Sequence, residues 1–227
     1  LKPGETTSAA TGGRETCLVF ITGKGKCSAG GKELGVLGGR MSPFDGKPWS
    51  VYVPEGSEWR VEAETELELA VCTAPGLGGG RPVRVIAPDD VGQETRGKGT
   101  NTRYPTNILP ETAPAESLLV VEVITPGGHT SSYPPHRHDE DDLPRQSLLE
   151  ETYYHRFSKP QGYGFQRVYT DDRSLDETMA IETLHVRESL VPGISAADLE
   201  AKAKAGDRGK YFNDGGFAND LRRAGLT

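Results

Sequence analysis

The sequence predicts an all-β protein: two β-rich halves, residues 1–95 and 96–192, followed by a short polar, helical tail over 193–227. Three observations predict it. Short runs rich in β-branched and aromatic residues recur with turn residues between them, the pattern of a sandwich or a barrel. Gly (29) and Pro (16) make up a fifth of the chain, against a usual share of roughly 12%. Tight turns use both residue types, Gly for positive φ and Pro for a fixed φ. No helical periodicity longer than a turn occurs before residue 195.

The elements follow in order. Thr16–Thr22 (TCLVFIT) is the first strand, with Gly23–Gly25 as the turn after it. Val51–Pro54, Trp59–Ala63 and Leu67–Ala74 are the next strands, and Pro54-Glu55-Gly56 breaks the first two like a hairpin turn. Leu67 and Leu69 alternate with Glu66 and Glu68, the period of a half-buried strand with its glutamates in water. Val83–Ala87 ends the first half. Leu77–Pro82 and Asp89–Thr102 are polar and glycine-rich, and are expected to be turn and linker. In the second half Leu118–Thr125 (LLVVEVIT) is the strongest strand, followed by Glu151–Phe157, Gly164–Thr170 and Thr178–Thr183. Ser195–Lys204 carries helix signals: Ser195 as a cap, Asp198 in the first turn and Gly206 beyond the end.

Composition excludes several functions. The apolar runs are short, far below the roughly 20 residues of a spanning helix, so no membrane is expected. Lys plus Arg is 26 and Asp plus Glu is 33, a net charge of −7, and no basic run stands out. Nucleic acid is therefore not an expected partner. Cys17, Cys27 and Cys72 are odd in number and lack the CxxC spacing of a zinc site. They fit a reducing, cytoplasmic setting. Leu1 opens the chain without a basic and apolar leader, so export is not expected.

Three of the five histidines cluster: His129, His136 and His138. His136 and His138 are two residues apart. On a strand they point to one face, roughly 6.5–7 Å apart at the backbone. Two imidazoles so placed can share one ion at nitrogen distances near ~2.0–2.1 Å. A carboxylate is expected from Leu149–His155 (LEETYYH). Alternation puts Glu151, Tyr153 and His155 on one face and Glu150, Thr152 and Tyr154 on the other. A glutamate among aromatics is costly unless paired or metal-bound. Glu151 is thus the expected third ligand and Glu150 its solvated neighbour. His155 lies roughly 13 Å further along, too far for the same ion. Asp139–Pro144 (DEDDLP) is expected to be a solvated loop, with closure over a barrel mouth as the alternative.

At these residues the chain resembles the cupin superfamily, whose first motif pairs HxH with a downstream Glu. Longer strings carry a more specific resemblance. Ser131–Asp139 (SSYPPHRHD), Leu149–Arg156 (LEETYYHR) and Phe165–Ala180 resemble the 5-deoxy-glucuronate isomerase family of bacterial myo-inositol catabolism. Glu15–Lys26, Arg40–Pro48 and Tyr52–Trp59 extend the likeness into the first half. The related 5-keto-4-deoxyuronate isomerases act on a similar uronate. The resemblance implies a bicupin of two tandem barrels with a divalent metal in the second. Zinc comes first, with manganese or iron behind it.

It also implies an aldose–ketose isomerisation of 5-deoxy-D-glucuronate to 5-dehydro-2-deoxy-D-gluconate. His136, His138 and Glu151 are then the metal ligands. Glu150, Tyr153 and His155 are the candidates for the proton shuttle. Arg137, Arg156 and Arg167 are the candidates for the substrate carboxylate. In the first half Trp59 stands where a second-motif histidine is expected, and no HxH occurs in residues 1–128. That half is read as structural, with a homodimer surface. The family also implies a fourth ligand, a histidine after a Val-Pro. Here Val191-Pro192 is followed by Gly193-Ile194, and no histidine follows His185. Residues 193–227 are expected to be foreign to the family, the start clipped, the metal held more weakly and activity low. His185 is the one candidate substitute. A non-catalytic sugar-acid-binding cupin is the rival reading, and a metal-dependent oxygenase the third.

Overall fold

The structure is a computed structural model that describes residues 1–133 and 136–182. It divides into two compact units, Leu1–Glu150 and Glu151–Thr227. The expected tail helices and His185 lie outside the described residues.

The first unit holds two four-stranded sheets. One comprises β1 (Thr6–Ala10), β6 (Glu58–Ala63), β3 (Lys24–Ala29) and β4 (Lys32–Gly38), adjacent in that order. The other comprises β7 (Glu68–Pro75), β2 (Arg14–Thr22), β5 (Ser50–Val53) and β8 (Arg84–Ile86). All pairings are antiparallel. Leu18, Phe20, Val51 and Val53 of one sheet form a core with Cys27, Ala29, Leu37, Trp59 and Val61 of the other. Trp59, in the position of the missing histidine, is a packing residue there. Such a side chain truncated to alanine costs about 3–5 kcal/mol.

The β2 sheet is covered on its other face as well. Cys17, Val19, Ile21 and Tyr52 pack against Val91, Ile108, Leu109 and Leu118. That explains TCLVFIT: a strand buried on both faces is apolar at every position instead of alternating. The second cover comes from a three-stranded sheet of β11 (Val120–Ile124), β10 (Tyr104–Leu109) and β9 (Gly92–Gln93). The compact unit therefore runs past residue 95, because residues 91–118 complete this core.

Several sequence expectations are corrected. Lys24–Ala29 is a strand, not the end of a turn, and only Gly23 turns the corner. At φ 83° it passes so near the chain that a Cβ would sit 2.0 Å from the Glu66 carbonyl oxygen. Pro54-Glu55-Gly56 is not a hairpin, since β5 and β6 belong to different sheets. It is a corner, held by the Thr11 hydroxyl, which donates to Pro54 O (2.9 Å) and accepts from Ser57 N (2.8 Å). Asp89–Thr102 contains β9 and two 3₁₀ turns, and β10 follows it. Residues 151–157 form no strand, because no neighbour among the described residues pairs with them. No helix of the described residues is long and apolar enough to cross a membrane.

Two polar anchors tie residues 116–122 to the front of the chain. Glu15 is fully buried. Its carboxylate accepts from the Tyr52 hydroxyl (2.6 Å) and from the backbone N–H groups of Glu116 (2.9 Å), Ser117 (2.6 Å) and Leu118. Burial alone raises the Glu15 carboxyl, but the Tyr52, Ser117, Glu116 and Leu118 donors outweigh it and hold it below the ordinary carboxylate value. Arg40 is the second anchor. Its guanidinium meets the Glu122 carboxylate bidentately (2.8 and 2.5 Å) and donates to Ile21 O (2.9 Å).

The second unit, over its described residues, is a hairpin of β12 (Tyr163–Tyr169) and β13 (Asp176–Glu182), preceded by irregular chain. The turn is capped by Asp172. Its carboxylate accepts from the Thr170 hydroxyl (2.6 Å) and from Ser174, which holds its pKa down at about 2.

Candidate metal centre

His136 and His138 lie outside any strand. Their rings still come together, with centroids 4.8 Å apart and planes at 79°. The chain then turns back through Asp139–Pro144. Asp142 and Gln146 form a backbone bridge, Leu149 N donates to His138 O (3.0 Å), and Arg145 pairs with Asp142. DEDDLP is thus an exposed loop that folds on itself, and its work is to return residues 147–151 alongside 136–138.

That return orients a ligand. His138 Nδ1 is 3.0 Å from the carbonyl oxygen of Ser147. A carbonyl can only accept, so Nδ1 donates there, and Nε2 on the other side of the ring is the nitrogen an ion would use. Sequence reasoning missed Ser147, and nothing in its identity could have revealed it, because the contact uses the carbonyl that every residue has.

Ligand atoms of His136, His138 and Glu151 all lie within 4.8 Å of one another. His136 and Glu151 are exposed and His138 half-buried. Two imidazoles and a carboxylate suit a borderline divalent ion, and among the described residues they are the three that come together. The donor set fits the divalent metal expected from the sequence. The Tyr153 hydroxyl donates to Glu151 Oε2 (2.8 Å), and the Tyr153 and His155 rings stack with centroids 6.0 Å apart. Side chains at 151, 153 and 155 therefore share a face without a strand ladder. Desolvation first, then the neighbouring Glu151 carboxylate, pushes the Tyr153 hydroxyl up to about 12. Glu150 is exposed. His129 stands apart: its Nδ1 lies 2.8 Å from Thr102 O.

The model of the KduI/IolB family matches residues 1–193. The chain belongs to the KduI/IolB family. Among its relatives, the 5-deoxy-glucuronate isomerase of Geobacillus kaustophilus is 51% identical over 183 residues, covering 80% of this chain and 66% of that protein. That of Halalkalibacterium halodurans is 50% identical over 184 residues, covering 80% and 68%. An IolB-like protein from Salmonella typhimurium LT2, solved by crystallography, superposes with a TM-score of 0.77 at 53% identity, covering 81% of this chain and 70% of that one. The chain thus spans 66% of the length of the first isomerase.

The three arginines expected to face a carboxylate differ within this family member. Arg137 is partly exposed and near Asp139 (3.6 Å) and Glu140 (4.0 Å). Arg156 is exposed. Arg167 is held by Asp176 through two hydrogen bonds (2.7 and 2.6 Å), and its guanidinium stands 5.5 Å from the Tyr169 ring centroid. Its fork is already filled by a carboxylate of the same hairpin, so a substrate must displace Asp176 to use it.

Proposed function

We propose that this chain is a metal-dependent aldose–ketose isomerase acting on 5-deoxy-D-glucuronate, with 5-dehydro-2-deoxy-D-gluconate as product. The observation that carries the reading is the conjunction of relatives of that name at about half identity with a three-ligand group at His136, His138 and Glu151. The reading extends to a second, metal-binding cupin barrel over residues 96–192 and a first barrel over 1–95 without a metal.

His136 Nδ1 or Nε2, His138 Nε2 and a Glu151 oxygen would hold the ion. A bound divalent ion, zinc first, supplies Lewis-acid polarisation of the carbonyl and hydroxyl oxygens of the sugar acid. The chain's own residues do the rest. Ser147 fixes the His138 ring, and Tyr153 orients Glu151. A proton must leave C2 and arrive at C1 as the carbonyl moves from C1 to C2. Glu150, Tyr153 and His155 are the candidates for that transfer. Tyr153, with its hydroxyl held protonated, serves as a donor. Arg137, Arg156 and Arg167 are the candidates for the substrate carboxylate, and Arg167 must release Asp176 to serve.

The test is carbonyl migration on 5-deoxy-D-glucuronate, followed by NMR with and without a chelator. Turnover that survives complete metal removal defeats the reading. Within it, Glu151→Gln lowers zinc occupancy more than Glu150→Gln, by about tenfold in affinity. Equal effects place the ligand one residue away. A non-catalytic sugar-acid binder is the second reading, favoured by a group of three ligands where the family resemblance implies four. Substrate binding without turnover in the zinc-loaded protein supports it.

A further inference from the structure

The polar, glycine-rich stretch before β10 braces the histidine pair. Arg96 and Arg103 close it as a backbone bridge, each N–H donating to the other's carbonyl at 3.0 Å. Asn101 sits at its tip. The Asn101 amide Nδ2 donates to the Thr130 hydroxyl (2.8 Å) and to the Ser132 carbonyl (2.7 Å). Its Oδ1 accepts from Arg103 Nη1 (2.8 Å), and Arg103 is itself only 8% exposed. Two neighbours add to the grip: Thr130 N donates to Thr100 O (2.9 Å), and His129 Nδ1 meets Thr102 O. Apart from the Arg96–Arg103 bridge, every bond of this set joins residues 100–103 to each other or to residues 129–132.

The held segment leads directly into the candidate ligands. Tyr133 follows Ser132, and its ring meets the His136 ring edge-on at 5.8 Å. The His136 ring in turn packs edge-on against His138. The loop is shaped for Asn101. Gly97 has φ 79°, and a Cβ there would lie 2.1 Å from Asn101 O and 2.7 Å from its Oδ1. An asparagine amide is also the side chain that both accepts from Arg103 and donates twice to the other segment.

We propose that Asn101 is a positioning residue for the metal centre, fixing residues 130–132 so that Tyr133, His136 and His138 stand in ligand geometry; this rests on the metal reading above. Outer partners of this kind are worth about 10–100-fold in metal affinity. Zinc titration of the chelator-stripped protein is compared among the parent, Asn101→Ala and Asn101→Asp, with amide hydrogen exchange of residues 129–138 as a metal-free readout. Asn101→Asp keeps the acceptor for Arg103 and removes both donors, so it isolates the bonds that matter. About a tenfold loss of zinc affinity is expected in both variants, with faster exchange over 129–138 and an unchanged urea midpoint for the β1–β8 core. Exchange and zinc affinity both unchanged in Asn101→Asp overturn the proposal. A parent that binds no zinc overturns the metal reading instead, and the exchange data then decide the brace alone: unchanged exchange sinks it, faster exchange keeps it. Gly97→Ala, which crowds Asn101 from behind, should reproduce the exchange result, and slow exchange there counts against the brace.

Discussion

Glu15 and Glu151 are the same side chain put to opposite uses. Around Glu15 the chain builds a site for the carboxylate: full burial, one phenol and three backbone N–H groups. Around Glu151 it leaves the carboxylate at the surface, steadied by the Tyr153 hydroxyl and facing two imidazoles. The first arrangement satisfies the anion within the protein and spends it on holding residues 116–118 to β2. The second keeps the oxygens where an ion can reach them. A buried carboxylate with a full set of donors has nothing left to offer a ligand, whereas an exposed one beside two ring nitrogens does. The core region therefore ties its carboxylate into the fold, and the 136–151 region leaves its carboxylate exposed at little cost to stability.

The largest effect should come from the ligands. The double replacement of His136 and His138 by alanine should abolish bound metal, read by elemental analysis of the purified protein, while the thermal midpoint of the metal-free protein stays within a few degrees. Retention of a full metal equivalent would place the ion elsewhere and dissolve the contrast.

Glu15→Ala should strike the other side of the comparison. It strips the acceptor from Tyr52 and three N–H groups at once, and each buried donor left unpaired costs about 1–3 kcal/mol. A loss of about 4 kcal/mol in urea unfolding is expected, whereas Glu151→Ala should change stability by less than about 0.5 kcal/mol. The pH dependence follows from the lowered Glu15 pKa. A depressed folded-state value means that the stabilisation is fully present above the unfolded carboxylate pKa of 4.5 and is lost as pH falls through the lower folded value. Unfolding free energy should thus fall below about pH 4.5, and Glu15→Gln should flatten that fall. A Glu15→Gln profile parallel to the parent's would mean that other carboxylates set the acid limit.

The smallest effect belongs to the second unit. Arg173 stacks over Tyr169 at 3.9 Å and pairs with Asp176 at 3.1 Å, yet both partners of the ion pair are partly exposed. Arg173→Ala should cost less than about 1 kcal/mol. A larger loss in the same urea titration would show that the hairpin carries core-like stability, contrary to its solvated surface.

Much of this was legible in the residues alone. β2, β5, β6, β7, β8, β11, β12 and β13 stand where β-branched and aromatic runs predict them, because such runs fit a pleated, packed surface. His136, His138 and Glu151 were readable as a group from two-residue spacing and strand parity, and residues 151, 153 and 155 still meet although the segment forms no strand. β1, β3, β4 and β10 were not legible. Lys24–Ala29 (KGKCSA) and Lys32–Gly38 (KELGVLG) carry glycines and lysines that suggest turns. They are strands because β6 and the facing sheet supply partners for Cys27, Ala29 and Leu37.

What the sequence determined by itself is local: β-rich segments, a spacing that puts two imidazoles together, and a full apolar run destined for burial. What only the tertiary structure decided is which distant groups meet. That Glu15 lies under the backbone of 116–118, that Arg40 finds Glu122, and that Asn101 grips Thr130 and Ser132 depends on contacts across 29 to 103 residues. Many of their partners are backbone N–H and carbonyl groups, which every residue possesses and no residue type announces. The physical reason is that hydrogen bonding to the main chain carries no side-chain signature, so its placement is written by the fold and not by composition or period.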